Sequence, residues 1–298
     1  MKQYRLREDL PKEAKEELSG YSERIQRILF HRGMDSKEKA EIFFNPSYEE
    51  HTHDPFEIAG MEKAVERILK AIKENEHICI WSDYDHDGIP GGVIRYKLVK
   101  KIGDAHFRNY IPHRYTEGYG LNVGGIELLA KDGVTLVITV DSGITDVEPV
   151  ARAKELGMDV IITDHHLTNG TLPDAHTILN SKQDHCDYPF DMLCGAAVAF
   201  KLVQALIARG KFDIPTGWEK WLLDLVGLST IADMVPLQGE NRVLAHYGLT
   251  VLRKTRRPGL RALLSALRIQ SRFLTEDDVG FMIAPRINAA SRMAEPRL

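Results

Sequence analysis

Apolar residues in this chain recur in two rhythms that take turns. Met61, Val65, Ile68, Leu69 and Ile72 follow the three-to-four-residue spacing of an amphipathic helix ending near Asn75. Short apolar runs follow, several of them rich in β-branched residues, as expected of strands buried on both faces of a parallel sheet: Ile78 to Trp81, His106 to Ile111, Val134 to Val140, Asp159 to Thr163, and residues 176–180. Helices are predicted over Val93 to Lys101, Asp146 to Leu156, Gly195 to Ala208 and Trp218 to Ile231, the third carrying small residues, Gly195, Ala196, Ala197 and Ala199, that allow close packing on a sheet. Strands alternating with helices specify an α/β fold, a mainly parallel sheet with helices on both faces. Residues 1–57 are polar and read as an arm or cap, with helical stretches at Ser22 to Phe30 and Ser36 to Phe44, Ser36 being an N-cap candidate. Residues 58–240 form the α/β domain, and residues 241–298 a helical basic segment.

The strands matter for where they stop. The first runs into Asp83, Asp85 and Asp87 at alternate positions, and Gly88, Pro90, Gly91 and Gly92 then prevent the strand from continuing. The strand over Val134 to Val140 ends in Asp141, and the next ends in Asp164, His165 and His166. With right-handed crossovers, the carboxyl ends of parallel strands converge on one edge, the edge where open α/β sheets bind ligands. A solvated acidic turn explains the first triplet taken alone, and a calcium loop is a second reading of it. The latter requires a Glu at the twelfth position, which counted from Asp83 is Ile94, and a helix before the loop, where a strand is predicted. Three successive strand ends carrying acids and imidazoles leave no comparably simple structural account. Carboxylates are hard ligands suited to Mg²⁺ or Mn²⁺, and added imidazole favours Mn²⁺. Asp233, just before the breaker Pro236, is a further candidate ligand, although a helix-terminal Asp is ordinarily a cap.

Composition changes this picture at two points. The chain has 298 residues, 43% hydrophobic and 28% charged, with three cysteines, Cys79, Cys186 and Cys194, that form no CxxC pair, so neither a disulfide framework nor a zinc cluster is indicated. Without an apolar leader or a stretch of about 18 apolar residues, a cytoplasmic protein with no membrane partner is expected. The net charge is −4, yet from Asn241 to Leu274 there is no Asp or Glu, while Arg242, Arg253, Lys254, Arg256, Arg257, Arg261, Arg268 and Arg272 are all cationic. Such a one-signed stretch fits a polyphosphate backbone, the alternative being a solvated helix face.

The motifs Asp83-Tyr84-Asp85-His86-Asp87-Gly88, Val140-Asp141-Ser142-Gly143, Asp164-His165-His166 and Ser229 to Leu237 together resemble those of the DHH phosphoesterase superfamily. Three further stretches resemble the RecJ family of 5′-end exonucleases within it: Ala40 to Ile68, Ile111 to Leu121, and Gly239-Glu240-Asn241-Arg242 leading to Arg257-Pro258-Gly259-Leu260. His86, Pro90, Ala196-Ala197 and Ser291 depart from the family pattern without removing a ligand. The resemblance implies two-metal hydrolysis of phosphodiesters in single-stranded DNA, with two Mn²⁺ or Mg²⁺ ions, in repair and recombination. It implies Asp141 as the carboxylate shared by both ions, Asp83 and Asp85 on one, and Asp87, His165 and Asp233 on the other. His166 is then assigned to the scissile phosphate or to support, and Asp164 to orienting the histidines. Arg114 and Tyr119 would grip phosphate and stack a base, and Arg286, Asn288, Arg292, Arg253, Lys254, Arg256 and Arg257 would contact backbone phosphate. Single-stranded DNA is the expected partner, with a single-strand-binding protein or a helicase beside it, and a second phosphoesterase-associated domain is expected after residue 298. Two other readings stand beside this one: an oligoribonuclease or cyclic-dinucleotide phosphodiesterase on the same core, and a non-catalytic binding module, against which the complete set of ligand-type residues argues.

Overall fold

A computed structural model of the chain describes residues 7–103, 106–168 and 170–294. It separates into two compact units, Met1–Thr52 and His53–Leu298. In the first, α1 (Lys12–Glu17), α2 (Glu23–Phe30) and α3 (Lys37–Phe44) enclose a small core of Leu18, Leu29, Met34 and Ala40. The Ser36 hydroxyl accepts from the Lys39 amide and starts α3, as its sequence position indicates. Helix α1 was not expected, because its six residues are almost wholly polar and only Ala14 is buried.

The second unit is a five-stranded, all-parallel sheet in the order β2-β1-β3-β4-β5, built from β1 (Ile78–Ser82), β2 (Phe107–Tyr110), β3 (Leu136–Val140), β4 (Asp159–Thr163) and β5 (Thr177–Leu179). Alternate side chains feed two cores. Cys79, Trp81, Val137, Val160 and Ile162 pack with Ile126 and Leu129 of α6 (Val123–Lys131) and with Val150 and Ala153 of α7 (Val147–Glu155). Ile80 and Val140 pack on the other face with Val99 of α5 (Gly88–Ile102) and Ala199 of α8 (Gly195–Arg209). Helix α4 (Met61–Lys73) adds Ile68 and Ile72 beside Ile80 and Ile138 on that same face. Helices therefore cover both faces, and the carboxyl ends of β1, β3 and β4 share one edge.

Helix α5 begins five residues earlier than predicted. Gly88, Gly91 and Gly92 end the strand and then form the first turns of the helix, where the lack of a side chain is what brings it against the sheet. A Cβ on Gly91 would lie 2.5 Å from Val140, and one on Gly92 2.2 Å from the Ser82 hydroxyl. Helix α6 was not expected, since Gly124 and Gly125 mask it in the sequence; Gly125 is the place where the Trp81 ring approaches, within 2.4 Å of a hypothetical Cβ. The apolar run after Gly217 is divided into a 3₁₀ stretch, Trp218–Leu222, and α9 (Leu223–Ala232). Helix α10 (Gly239–Leu252) crosses α9 at Gly227 and Gly248, whose backbones are too close for either to carry a Cβ. Helix α11 (Pro258–Ala266) and a π-helical turn, Asp278–Ile283, that runs into α12 (Ala284–Met293) complete the unit. Leu228, Ile231, Ala245, Leu252, Leu264, Val279 and Ile283 form one core, so the helical segment after residue 240 packs directly on the helix that ends at Asp233. Among the described residues no helix is long and apolar enough to cross a membrane.

Candidate metal centre

Each strand end turns abruptly. Asp83 donates its amide to Val140 O, and Asp141 donates its own to Thr163 O, 3.0 Å away, with a φ of 61°. A left-handed conformation is unusual for any residue but glycine, though Asp tolerates it, and such strain concentrates at functional sites. It reverses the chain at Asp141 and turns that carboxylate into the sheet edge, where it is almost fully buried.

The predicted ligands converge. His165 Nε2 lies 3.1 Å from Asp141 Oδ1, 3.7 Å from Asp87 Oδ2 and 3.8 Å from Asp233 Oδ2. Three sets of groups are close enough to hold a cation: Asp83, Asp85 and Asp141; Asp87, His165 and Asp233; and Asp141, His165 and His166. The first two are the sets that the family resemblance implies, with Asp141 next to both. Asp83 Oδ1, Asp141 Oδ1 and both ring nitrogens of His165 are buried without a hydrogen-bond partner. Buried polar atoms are nearly always satisfied, so the two carboxylate oxygens and the lone-pair nitrogen of a neutral His165 fit divalent cations.

Electrostatics supports the same assignment. Burial, reinforced by Asp85, pushes the Asp83 carboxyl up to about 7; burial and Asp87 do the same to Asp233, also to about 7. Asp141 is raised well above the carboxylate range by burial and by the four aspartates around it. Burial lowers His165, favouring the neutral imidazole that a metal requires. Asp164 behaves differently: despite burial, the hydrogen bond from His166 and backbone amides hold it below the usual range, and the same bond raises His166. Its Oδ1 accepts from His165 N (2.7 Å), His166 N (3.2 Å) and His166 Nδ1 (2.7 Å), and its Oδ2 from Ile144 N (3.0 Å). With both oxygens engaged, Asp164 is suited to orienting the histidines.

Several supports were not evident from sequence. Asp87 is the last residue before α5, and its two oxygens accept from the Gly195 and Ala196 amides at 2.6 and 2.8 Å, the first amides of α8. Asp85 Oδ1 accepts from the Asp87 and Gly88 amides at the start of α5, and its Oδ2 lies 3.8 Å from His86 Nδ1. Lys182 Nζ and Asn180 Nδ2 donate to the carbonyls of His165 and His166. The loop after β5 that carries them has no motif, and only the fold brings it here.

The substrate-side candidates divide. Arg114 stacks 4.5 Å over Tyr84 and acts electrostatically on Asp83. Tyr119 donates to Asp141 O (3.0 Å), and its hydroxyl is 3.2 Å from His166 Nδ1, so that group belongs to the centre itself. Asn288 Oδ1 lies 2.9 Å from both the amide and Nδ1 of His86, which brings α12 to the first motif. Arg292 is exposed near Tyr84. Arg286 instead donates to the Met282 and Phe281 carbonyls, satisfying the π turn. In the basic segment, Lys254 and Arg256 are exposed, Arg256 lying 5.4 Å over Trp221, while Arg253 donates to Leu274 O. Arg257 corrects the expectation: its guanidinium is bidentate on buried Asp224, at 2.7 and 2.8 Å, and is not free for phosphate.

The DHH family, N-terminal domain, is matched over residues 77–230. The chain is 42% identical over 271 residues to the single-stranded-DNA-specific exonuclease RecJ of Bacillus subtilis, covering 91% of this chain and 33% of that protein. It is 38% identical over 247 residues to the Escherichia coli protein of the same description, covering 80% and 42%. It thus spans well under half the length of these relatives. Among solved structures, exonuclease RecJ bound to manganese superposes with a TM-score of 0.71 at 33% identity, over 80% of this chain and 59% of that one. RecJ from Thermus thermophilus in complex with Mn²⁺ gives 0.77 at 29% identity, over 96% and 39%. Three motifs at one sheet edge and a fourth at the end of α9 converge on one centre, and the family match covers over half the sequence: the chain belongs to the DHH family.

Proposed function

We propose that this chain is the metal-binding catalytic core of an exonuclease that hydrolyses single-stranded DNA from the 5′ end, in repair and recombination in the cytoplasm, on strands presented by a single-strand-binding protein or a helicase. The observation that carries it is the convergence of Asp83, Asp85, Asp87, Asp141, His165 and Asp233, within which buried Asp83 Oδ1, Asp141 Oδ1 and His165 Nε2 have no hydrogen-bond partner. Asp83, Asp85 and Asp141 would hold one Mn²⁺ or Mg²⁺ ion; Asp141, Asp87, His165 and Asp233 the other. When bound, such ions supply charge neutralisation at the phosphoryl oxygens and a water acidic enough to ionise near neutral pH.

The protein's own groups do the rest. The α8 amides fix Asp87, Asp164 fixes the His166 ring, and Tyr119 holds the reversed backbone of Asp141. His166, half exposed and raised by Asp164, would donate to a phosphate oxygen, and Arg114 and Arg292 would meet the neighbouring phosphates. Lys254 and Arg256 would extend that grip along the strand.

The test is to incubate 5′- and 3′-labelled single-stranded DNA, single-stranded RNA and a cyclic dinucleotide with the chain and Mn²⁺. Release of mononucleotides from the 5′ end of DNA is the expected result. Preference for short RNA or for the cyclic dinucleotide would replace this reading with the second phosphodiesterase class.

A further inference from the structure

Arg95, on the sheet-facing side of α5, is fully enclosed, and no carboxylate pairs with it among the described residues. An isolated buried guanidinium is costly, and burial alone pulls this one down to about 9. Its contacts show what it is held for. One terminal nitrogen donates to Thr139 O at 2.8 Å and the other to the Thr163 hydroxyl, while Nε has no partner.

These threonines close the ends of β3 and β4. Regular pairing between those strands runs only to Ile138 and Ile161. Beyond that point hydroxyls join the remaining backbone bond from Asp141 N to Thr163 O (3.0 Å): Thr163 N donates to Thr139 Oγ1 (3.1 Å), Thr163 Oγ1 to Thr139 O (2.6 Å), and Thr139 Oγ1 to Ser142 O (2.7 Å). Asp141, in its left-handed conformation, lies two residues after Thr139, and Asp164-His165 directly follow Thr163. Arg95 thus links three carriers of the site at once: α5, which follows Asp87, β3, which delivers Asp141, and β4, which delivers His165.

We propose that Arg95 is a positioning residue of the metal centre, a two-pronged clamp that sets the gap between the ends of β3 and β4 and thereby the spacing of Asp141 and His165. The inference rests on the two-metal reading of the same site. The planar fork is essential to it, because a lysine supplies the charge but cannot bridge both acceptors in a fixed geometry.

The test compares wild type with Arg95→Lys, Arg95→Met and Thr163→Val by amide hydrogen exchange without metal and by Mn²⁺ titration followed by electron paramagnetic resonance. Thr163→Val removes the acceptor while leaving the arginine, and guards against an Arg95 variant that fails to fold. In all three, exchange at the Asp141 and Thr163 amides should quicken about tenfold or more while β1–β2 amides stay protected, and Mn²⁺ should bind about 10- to 100-fold more weakly, as for other groups that orient ligands. Arg95→Lys indistinguishable from wild type in both readouts would overturn the clamp, as would unchanged Mn²⁺ affinity in Thr163→Val. Wild type that takes up no Mn²⁺ would instead overturn the two-metal reading, and with it any role of Arg95 at an ion.

Discussion

Asp141 combines three demands that seldom coincide in one residue: a positive φ, complete burial and crowding by other acids. Asn tolerates the same backbone conformation and keeps the same shape, so Asp141→Asn isolates the charge. We expect turnover to fall by more than about a hundredfold, while the metal-free melting temperature rises through relief of repulsion. Cleavage within about tenfold of wild type in Mn²⁺ would overturn the proposed place of Asp141 between the ions. The pH dependence follows from the same crowding. Asp83 and Asp233 titrate near 7 in the folded chain against 3.8 otherwise, so the folded state binds more protons across that interval and stability without metal declines as pH rises through it. Melting with a chelator at pH 5 and pH 8 should show a lower midpoint at pH 8, and Mn²⁺ should restore more at pH 8 than at pH 5. A midpoint that climbs with pH in the chelated protein would contradict the raised carboxyls.

Among elements, α8 exerts the tightest steric control over the site. A Cβ on Gly195 would sit 2.5 Å from Asp141 Oδ1 and 2.6 Å from its Cβ, while the Gly195 amide holds Asp87. Gly195→Ala must therefore push Asp141 aside or lift α8 from Asp87. Overpacking of this kind costs about 1–3 kcal/mol of stability, and Mn²⁺ affinity should fall about tenfold or more as the ligands lose their support. Retained affinity with a lowered melting temperature would confine Gly195 to packing. What sequence conveyed about such elements follows their chemistry. Strand ends were legible because acids break an apolar run, and Asp233 because a proline follows it. The roles of Gly88, Gly91 and Gly92 inside α5, and of Gly125 in α6, were hidden, since glycine weakens helix propensity wherever it occurs and only the neighbouring Val140, Ser82 and Trp81 explain it. Arg95 was invisible for the same reason: its acceptors belong to strands 44 and 68 residues away.

At the scale of the whole molecule, the basic stretch after Asn241 is not one surface. Arg257 anchors α11 to α9 through Asp224, whereas Lys254 and Arg256 are exposed. Neutralising Lys254 and Arg256 should lower the log–log salt slope of single-strand binding by about 0.7 for each phosphate that is no longer neutralised, with little change in melting temperature. Arg257→Ala should do the reverse, costing about 3 kcal/mol by leaving a buried carboxylate with only the neutral donors of Thr255 and Leu225, and leaving the slope unaltered. A slope indifferent to Lys254 and Arg256, measured with a labelled oligonucleotide across a range of salt concentrations, would assign that face to solvent.

The proposed ligands are spread from Asp83 to Asp233, on four elements that are neighbours only once β1, β3, β4 and α9 have assembled. A nascent chain therefore has no high-affinity place for manganese until everything from the first of these aspartates to the last has been synthesised and packed. Uptake of the ion then reports completion of the sheet, and by mass action each tenfold excess of free metal over its dissociation constant adds about 1.4 kcal/mol against reopening. In a cell whose manganese supply varies, the lifetime of this protein against proteolysis would then follow the metal.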